Sequence, residues 1–167
     1  MTTTNGAQLS QLIREQAGAF RKLCAGLDEN TASRAPQGRW TPKQIVSHLC
    51  GPEGVGYLPG LRIFVEQDTP RIDLDPENPF YSGKRAAMSL AELLAEYDRE
   101  YNRIAEFVAG LSEQQLNRKA HVPLLKDTPI GDHPTLAAWV EAIVEYHLAF
   151  HIDHMREILE ALKTPGP

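Results

Sequence analysis

The sequence predicts an all-α fold, a four-helix bundle with long crossover loops, and three observations carry that expectation. Four segments place apolar residues at three- and four-residue spacing, the repeat that gives a helix one buried face. No segment alternates at period two for long enough to compete as a strand. The segments are joined by proline- and aspartate-rich stretches without periodicity. A chain of 167 residues suffices for one domain with a real core, so residues 1–167 read as a single unit.

The first helix is expected from about Ala7 to Leu27, with Leu9, Leu12, Ile13, Phe20, Leu23 and Leu27 on its apolar stripe. The second has the clearest start in the chain. Thr41 is an N-cap, Pro42 fits the first helical position, and Gln44 closes a capping box, with Trp40 placed to staple against Ile45 or Val46. Gly51, Pro52, Gly54 and Gly56 should kink that helix just past His48 before periodicity resumes from Tyr57 to Val65. Residues 69–88 read as a long loop with Phe80-Tyr81 as an anchor. Ser89 and Glu92 form a second capping box, opening a third helix that runs to Gly110, and Ser112–Gln115 adds a short extra turn. After a second long connection over 117–134, Thr135 caps a last helix reaching about Leu162.

Seventeen Lys and Arg against 22 Asp and Glu give a net charge of −5, with the basic residues scattered, so nucleic acid is not an expected partner. Met1–Gly6 is polar and uncharged, unlike a signal peptide, and no apolar run approaches the roughly 18 residues of a membrane span. A cytoplasmic protein without a membrane partner is expected. Its two cysteines, Cys24 and Cys50, then read as reduced and partly buried.

Three of the six histidines fall in the last helix, at His147, His151 and His154. At about 100° per residue they lie within roughly 60° of one another on the helix surface. Imidazoles four residues apart can converge on one cation, as His147 and His151 would, and a third ligand must then come from a facing helix. His48 is the natural supplier, on the core side of the second helix beside the glycine-rich bend. The plainer alternative is a polar stripe at a groove or a dimer contact, and a histidine such as His48, taken alone, is more often an ordinary core residue. His121 and His133 keep that ordinary reading in their loops. Asp153 should face solvent.

Absences narrow the chemistry. No glutamate stands three residues before any histidine, so the Glu-x-x-His pairs of di-iron bundles are missing, and Leu148 occupies the position of the glutamate in a His-Glu-x-x-His protease helix. The glycines of 51–56 precede no Lys-Ser/Thr pair that would make a phosphate loop.

Trp40-Thr41-Pro42-Lys43-Gln44-Ile45-Val46-Ser47-His48-Leu49 resembles the opening of the second helix in the DinB-like superfamily of metal-binding four-helix bundles, which also contains the bacillithiol and mycothiol S-transferases. His147-Leu148-Ala149-Phe150-His151 resembles that family's His-x-x-x-His signature in the last helix. The resemblance implies a mononuclear divalent metal, zinc or nickel, held by His48, His147 and His151 with water completing the site. His154 departs from the family, which commonly has glutamine there. It is expected to line the pocket, although a register using His151 and His154 stays open.

An open coordination position can polarise a substrate, acidify water toward pH 7 or hold a thiolate. The expected function is therefore a metal-dependent enzyme on a small-molecule substrate, with transfer of a low-molecular-weight thiol to an electrophile placed first. A metal-dependent hydrolase, and a non-catalytic metal- or small-ligand-binding stress protein, are the alternatives. No general base stands out. Glu53 could swing into the site, and Tyr57, Tyr97 and Tyr101 are candidate pocket donors, although aromatics at helical spacing are more often core. A homodimer is plausible for such a bundle.

Overall fold

The computed structural model describes residues 4–163. The polar start Met1–Thr3 and the last residues of the expected domain, 164–167, lie outside the described residues. The long elements are α1 (Gly6–Leu23), α3 (Pro42–Cys50), α4 (Leu58–Glu66), α6 (Leu90–Ala109), α8 (Leu136–Ala142) and α9 (Ala149–Lys163). Single turns α2 (Glu29–Ala32), α5 (Gly83–Ala87) and α7 (Glu113–Leu116) punctuate the connections. No strand forms among the described residues; residues 119–121 make only isolated bridges, to Arg71 and Thr135. Nor is any helix among them long and apolar enough to cross a membrane.

Four helical rods close a ring. The rod α1 packs on α6 and α9, while α3 packs on the same two from the opposite side. Their facing side chains, including Leu9, Ile13 and Phe20 of α1, Ile45 and Leu49 of α3, Leu93, Tyr97 and Ile104 of α6 and Met155 and Ile158 of α9, are essentially fully buried. Each such side chain contributes roughly 1.5–3 kcal/mol by leaving water. The fold is thus the four-helix bundle that the periodicity predicts.

The expected helix starts hold: Thr41 and Gln44, and Ser89 and Glu92, form reciprocal capping boxes, and Thr135 caps α8. Three expectations need correction. The helix α1 ends at Leu23 rather than Leu27, because Gly26 takes a left-handed φ of 79° and the chain turns before Asp28 caps α2. The second helix is not one kinked rod. It stops at Cys50, where Gly51 adopts φ 77°, and a separate α4 begins at Leu58.

The last helix is interrupted as well, by a π-helical turn over Ile143–Leu148 between α8 and α9. The sequence pattern accounts for it. Leu136, Val140, Val144, Leu148 and Ile152 are all buried although each stands four residues from the next. In an ideal α-helix that spacing would drift roughly 160° around the axis over the run. A wider turn with i→i+5 bonds takes back part of the drift and keeps the ladder on one face.

A buried carboxylate anchors the start of α4. Glu100, 6% exposed, accepts from the backbone N–H groups of Tyr57 at 2.7 Å and Leu58 at 3.0 Å, two of the donors that a helix N-terminus leaves unpaired. Gly56 makes room for it: a Cβ there would stand 2.4 Å from the carboxylate, and its φ of 73° disfavours any side chain. Glu100→Leu should therefore lower unfolding free energy by about 2–4 kcal/mol by leaving both donors buried and unpaired. Removing its exposed partner, Arg103→Ala, should cost less than about 1 kcal/mol. Urea unfolding of the two variants checks the contrast.

Candidate metal centre

The capping box at Thr41 fixes where α3 begins, with Thr41 Oγ1 accepting from Gln44 N at 3.0 Å and Gln44 Oε1 from Thr41 N at 2.8 Å. His48 therefore lies in the last turn of a nine-residue helix and faces α9. Its carbonyl accepts from the Tyr57 hydroxyl, tying the turn after α3 back onto it. His147 stands in the π-helical turn and His151 in the first turn of α9. π-Helical turns recur at functional sites because they re-aim side chains along an otherwise regular rod.

The structure brings His48, His147 and His151 together. One ring nitrogen from each lies within 4.8 Å of the other two, a group that could hold a metal ion. Nε2 of His48 and Nε2 of His147 stand 3.0 Å apart. Two nitrogens roughly 2.0–2.1 Å from one ion at a tetrahedral angle would stand about 3.4 Å apart, so the pair needs little movement to act as ligands. Nδ1 of His48 lies 2.7 Å from the Asn78 carbonyl, which can only accept. His48 therefore carries its proton on Nδ1 and presents the Nε2 lone pair to the centre, the arrangement that orients metal-binding imidazoles generally.

Burial keeps the three rings neutral. His48 and His151 are 2% and 4% exposed, and His147 is half-buried. Loss of solvent pulls His147 down to about 4, with repulsion from His48 second. Burial likewise takes His151 to about 2, with His147, His48 and His154 adding to it. His48 is lowered by burial against the opposing pull of its Asn78 hydrogen bond and of Asp75. Neutral imidazole is the form that binds a cation.

The walls are aromatic. The Trp40 ring is 5.3 Å from His48 and stacks at 6.5 Å on His151, Phe80 stacks at 6.0 Å on His48, and Tyr57 meets His147 edge-on at 6.3 Å. Trp40 thus covers the imidazoles. Phe150, 64% exposed, leans on His151 with ring centroids 5.0 Å apart.

The remaining candidates fall in different places. His154 is half-buried, with Nδ1 3.2 Å from Nδ1 of His151; it lies beside the three-ring group and not in it. Tyr57 is a wall of the site, with its hydroxyl committed to the His48 carbonyl. Glu53 pairs with Lys84 at 3.8 Å. Tyr97 donates to the Ala17 carbonyl of α1 at 2.8 Å and packs at a tilt against Phe20 and Tyr101, so both tyrosines belong to the α1–α6 layer and do not line the centre. His121 and His133 stack on each other and flank Asp132, while Asp153 is exposed. Both cysteines are free and buried, with burial raising each thiol to about 12.

Two contributors escape sequence reasoning. Asn78 acts through its carbonyl, which any residue possesses, so no residue type marks it. Phe80 shows only as a loop anchor, because its role depends on a left-handed backbone with φ 49° that turns the ring onto His48.

The model of the DinB superfamily matches residues 12–155. Among solved structures, the chain is similar to YfiT from Bacillus subtilis, described as a probable metal-dependent hydrolase with an unusual four-helix bundle topology. The likeness has TM-score 0.76 at 18% identity and covers 99% of this chain and 91% of that one. A protein from Streptococcus pneumoniae is similar at TM-score 0.63 and 16% identity over 94% of this chain and 91% of its own. An uncharacterized protein from Clostridium difficile 630 is similar at TM-score 0.63 and 14% identity, over 98% of each chain. Among curated proteins none matches.

The depressed imidazoles make stability depend on pH. Each takes up a proton on unfolding once the pH falls below the ordinary value of 6.5, so the metal-free protein should be most stable above it and weaken as the pH falls toward about 4. The slope should reach about 1.4 kcal/mol per pH unit for each proton. His151→Leu should shrink that slope by about a quarter, one proton of the four taken up by His48, His147, His151 and His154. Urea midpoints at pH 7.5, 6 and 5 test this, and a pH-independent midpoint would contradict the buried, neutral cluster.

Proposed function

The chain belongs to the DinB superfamily, and from that footing we propose a metal-dependent enzyme acting on a small molecule, with His48, His147 and His151 as ligands to one divalent ion. The observation that carries the reading is the convergence of three imidazole nitrogens from two helices within 4.8 Å. A closed structural zinc site has four ligands and usually thiolates, and burial keeps both thiols of this chain protonated at neutral pH. Three neutral nitrogens are instead the ligand set of a centre that keeps a position open for reaction, and zinc and nickel both suit it.

When bound, the ion supplies Lewis acidity and a water acidified toward neutral pH. The protein's own groups prepare the place for it. The Asn78 carbonyl holds the His48 ring with its lone pair inward, and His154 occupies Nδ1 of His151, leaving Nε2 free. Trp40, Tyr57 and Phe80 exclude water, which strengthens every charge interaction within the site.

Hydrolysis is the reaction we place first. An all-neutral ligand set leaves the ion its full charge, which favours acidifying water, and the similar YfiT is described as a probable metal-dependent hydrolase. Transfer of a low-molecular-weight thiol to an electrophile is the second reading. The same open position would hold a thiolate, and the family resemblance of the two histidine motifs supports it.

Protein purified without an affinity tag should carry about one divalent ion per chain by elemental analysis, and His48→Ala and His147→Ala should lose it. Equal metal in all three would remove the centre from consideration. With metal present, hydrolysis of a panel of small esters and amides should stop on chelation and return with zinc or nickel. Conjugation of a thiol to an aryl halide without any hydrolysis would reassign the reaction as thiol transfer.

A further inference from the structure

Arg85, in the single-turn α5, is among the few charged residues that the bundle buries, at 2% exposure. The two N–H bonds of its Nη1 are shared among four acceptors, the Gly51 carbonyl at 2.5 Å, the Ser47 and Phe80 carbonyls at 3.2 Å each, and Ser47 Oγ at 3.3 Å. Its Nη2 pairs with Glu96 of α6 at 3.2 Å. One guanidinium therefore joins three bodies: the C-terminal end of α3, the segment 78–80 that crosses over it, and α6. At the end of α3 its charge also meets the negative pole of the helix that carries His48.

The crossing segment needs such a hold. Phe80 is a non-glycine residue at φ 49°, a conformation that surrounding contacts must over-determine. Those contacts are on its carbonyl, which accepts from Ser47 Oγ at 2.9 Å as well as from Arg85. Two residues earlier, Asn78 accepts from Phe80 N at 2.8 Å through its side chain and meets His48 Nδ1 at 2.7 Å through its carbonyl. The chain of contacts runs from Glu96 through Arg85 and Phe80 to Asn78 and ends on His48.

We propose that Arg85 is a positioning residue for the three-imidazole centre: it clamps residues 78–80 onto α3, keeping the Asn78 carbonyl on His48 Nδ1 and the His48 Nε2 lone pair aimed at His147 and His151. The consequence for metal affinity rests on the proposed metal-binding reading, whereas the consequence for the His48 tautomer does not. Lysine carries the charge but lacks the fork of donors that reaches four acceptors and a carboxylate together, so it should hold the clamp only in part.

The test compares wild type with Arg85→Lys and with Arg85→Met/Glu96→Met, which removes both charges so that neither is left buried alone. Long-range ¹H–¹⁵N imidazole spectra of metal-free, ¹⁵N-labelled protein read the tautomer, and chelator competition reads zinc affinity. In wild type His48 should be a single Nδ1-protonated species. The double variant should show both tautomers and bind zinc about 10–100-fold more weakly, with Arg85→Lys between the two. Wild-type tautomer and affinity in Arg85→Lys, or in a double variant with wild-type far-UV circular dichroism, overturns the proposal. A tautomer that changes with Arg85 in a protein that takes up no zinc would support the clamp while removing the metal reading.

Discussion

A buried imidazole has two nitrogens to satisfy, and in this protein that requirement governs how the chain is laid around its centre. His48 gives one nitrogen to the Asn78 carbonyl and points the other at His147. The first contact demands that a crossover loop pass directly over α3; the second demands that α3 and the last helix be neighbours in the bundle. Trp40 and Phe80 follow from the same constraint, since rings taken out of water need surfaces to lie against. The crossover is thus part of the site's construction as well as a connection between helices.

The parts of this arrangement legible in the sequence are those encoded locally. A capping box acts across four residues, so Thr41 with Gln44 and Ser89 with Glu92 announce their helices without reference to the rest of the chain. The spacing of His147 and His151 is equally local. What could not be read is decided at a distance. The glycines after Cys50 permit either a kink or a break, and the carboxylate of Glu100, 42 residues beyond Leu58, settles the matter by nucleating a new helix there. Tyr97 and Tyr101 carry hydroxyls that suit a pocket as well as a core, and only their packing against α1 and each other separates the two roles.

Electrostatics divides the interior into two kinds of polar burial. Arg85 with Glu96 and Glu100 with the start of α4 are paired arrangements, in which the charge is matched by an opposite charge or by helix-end donors. The histidine cluster is handled by neutrality instead: burial discharges the rings, and His48 Nε2 accepts from His147 Nε2 with no counter-charge among them. That contrast sets the cluster apart from the structural ion pairs of the same core. It is a set of neutral rings tied by one shared proton between His48 and His147 at 3.0 Å, a group that could hold a cation in that proton's place.

The π-helical turn between α8 and α9 bears on how this chain can change over time. A turn of that kind is equivalent to a regular helix carrying one supernumerary residue. Losing one residue from 143–146 would restore an unbroken α-helix while leaving the four-residue interval between His147 and His151 intact. Because the wide turn already absorbs about one residue's rotation, roughly 100°, Leu136 and Val140 would keep nearly their present angular relation to those histidines and stay turned toward the core. Shortening this rod by one residue is therefore open to the lineage within the wide turn, whereas the same loss from the regular turns of α8 or α9 would swing one part of the apolar ladder about 100° from the rest.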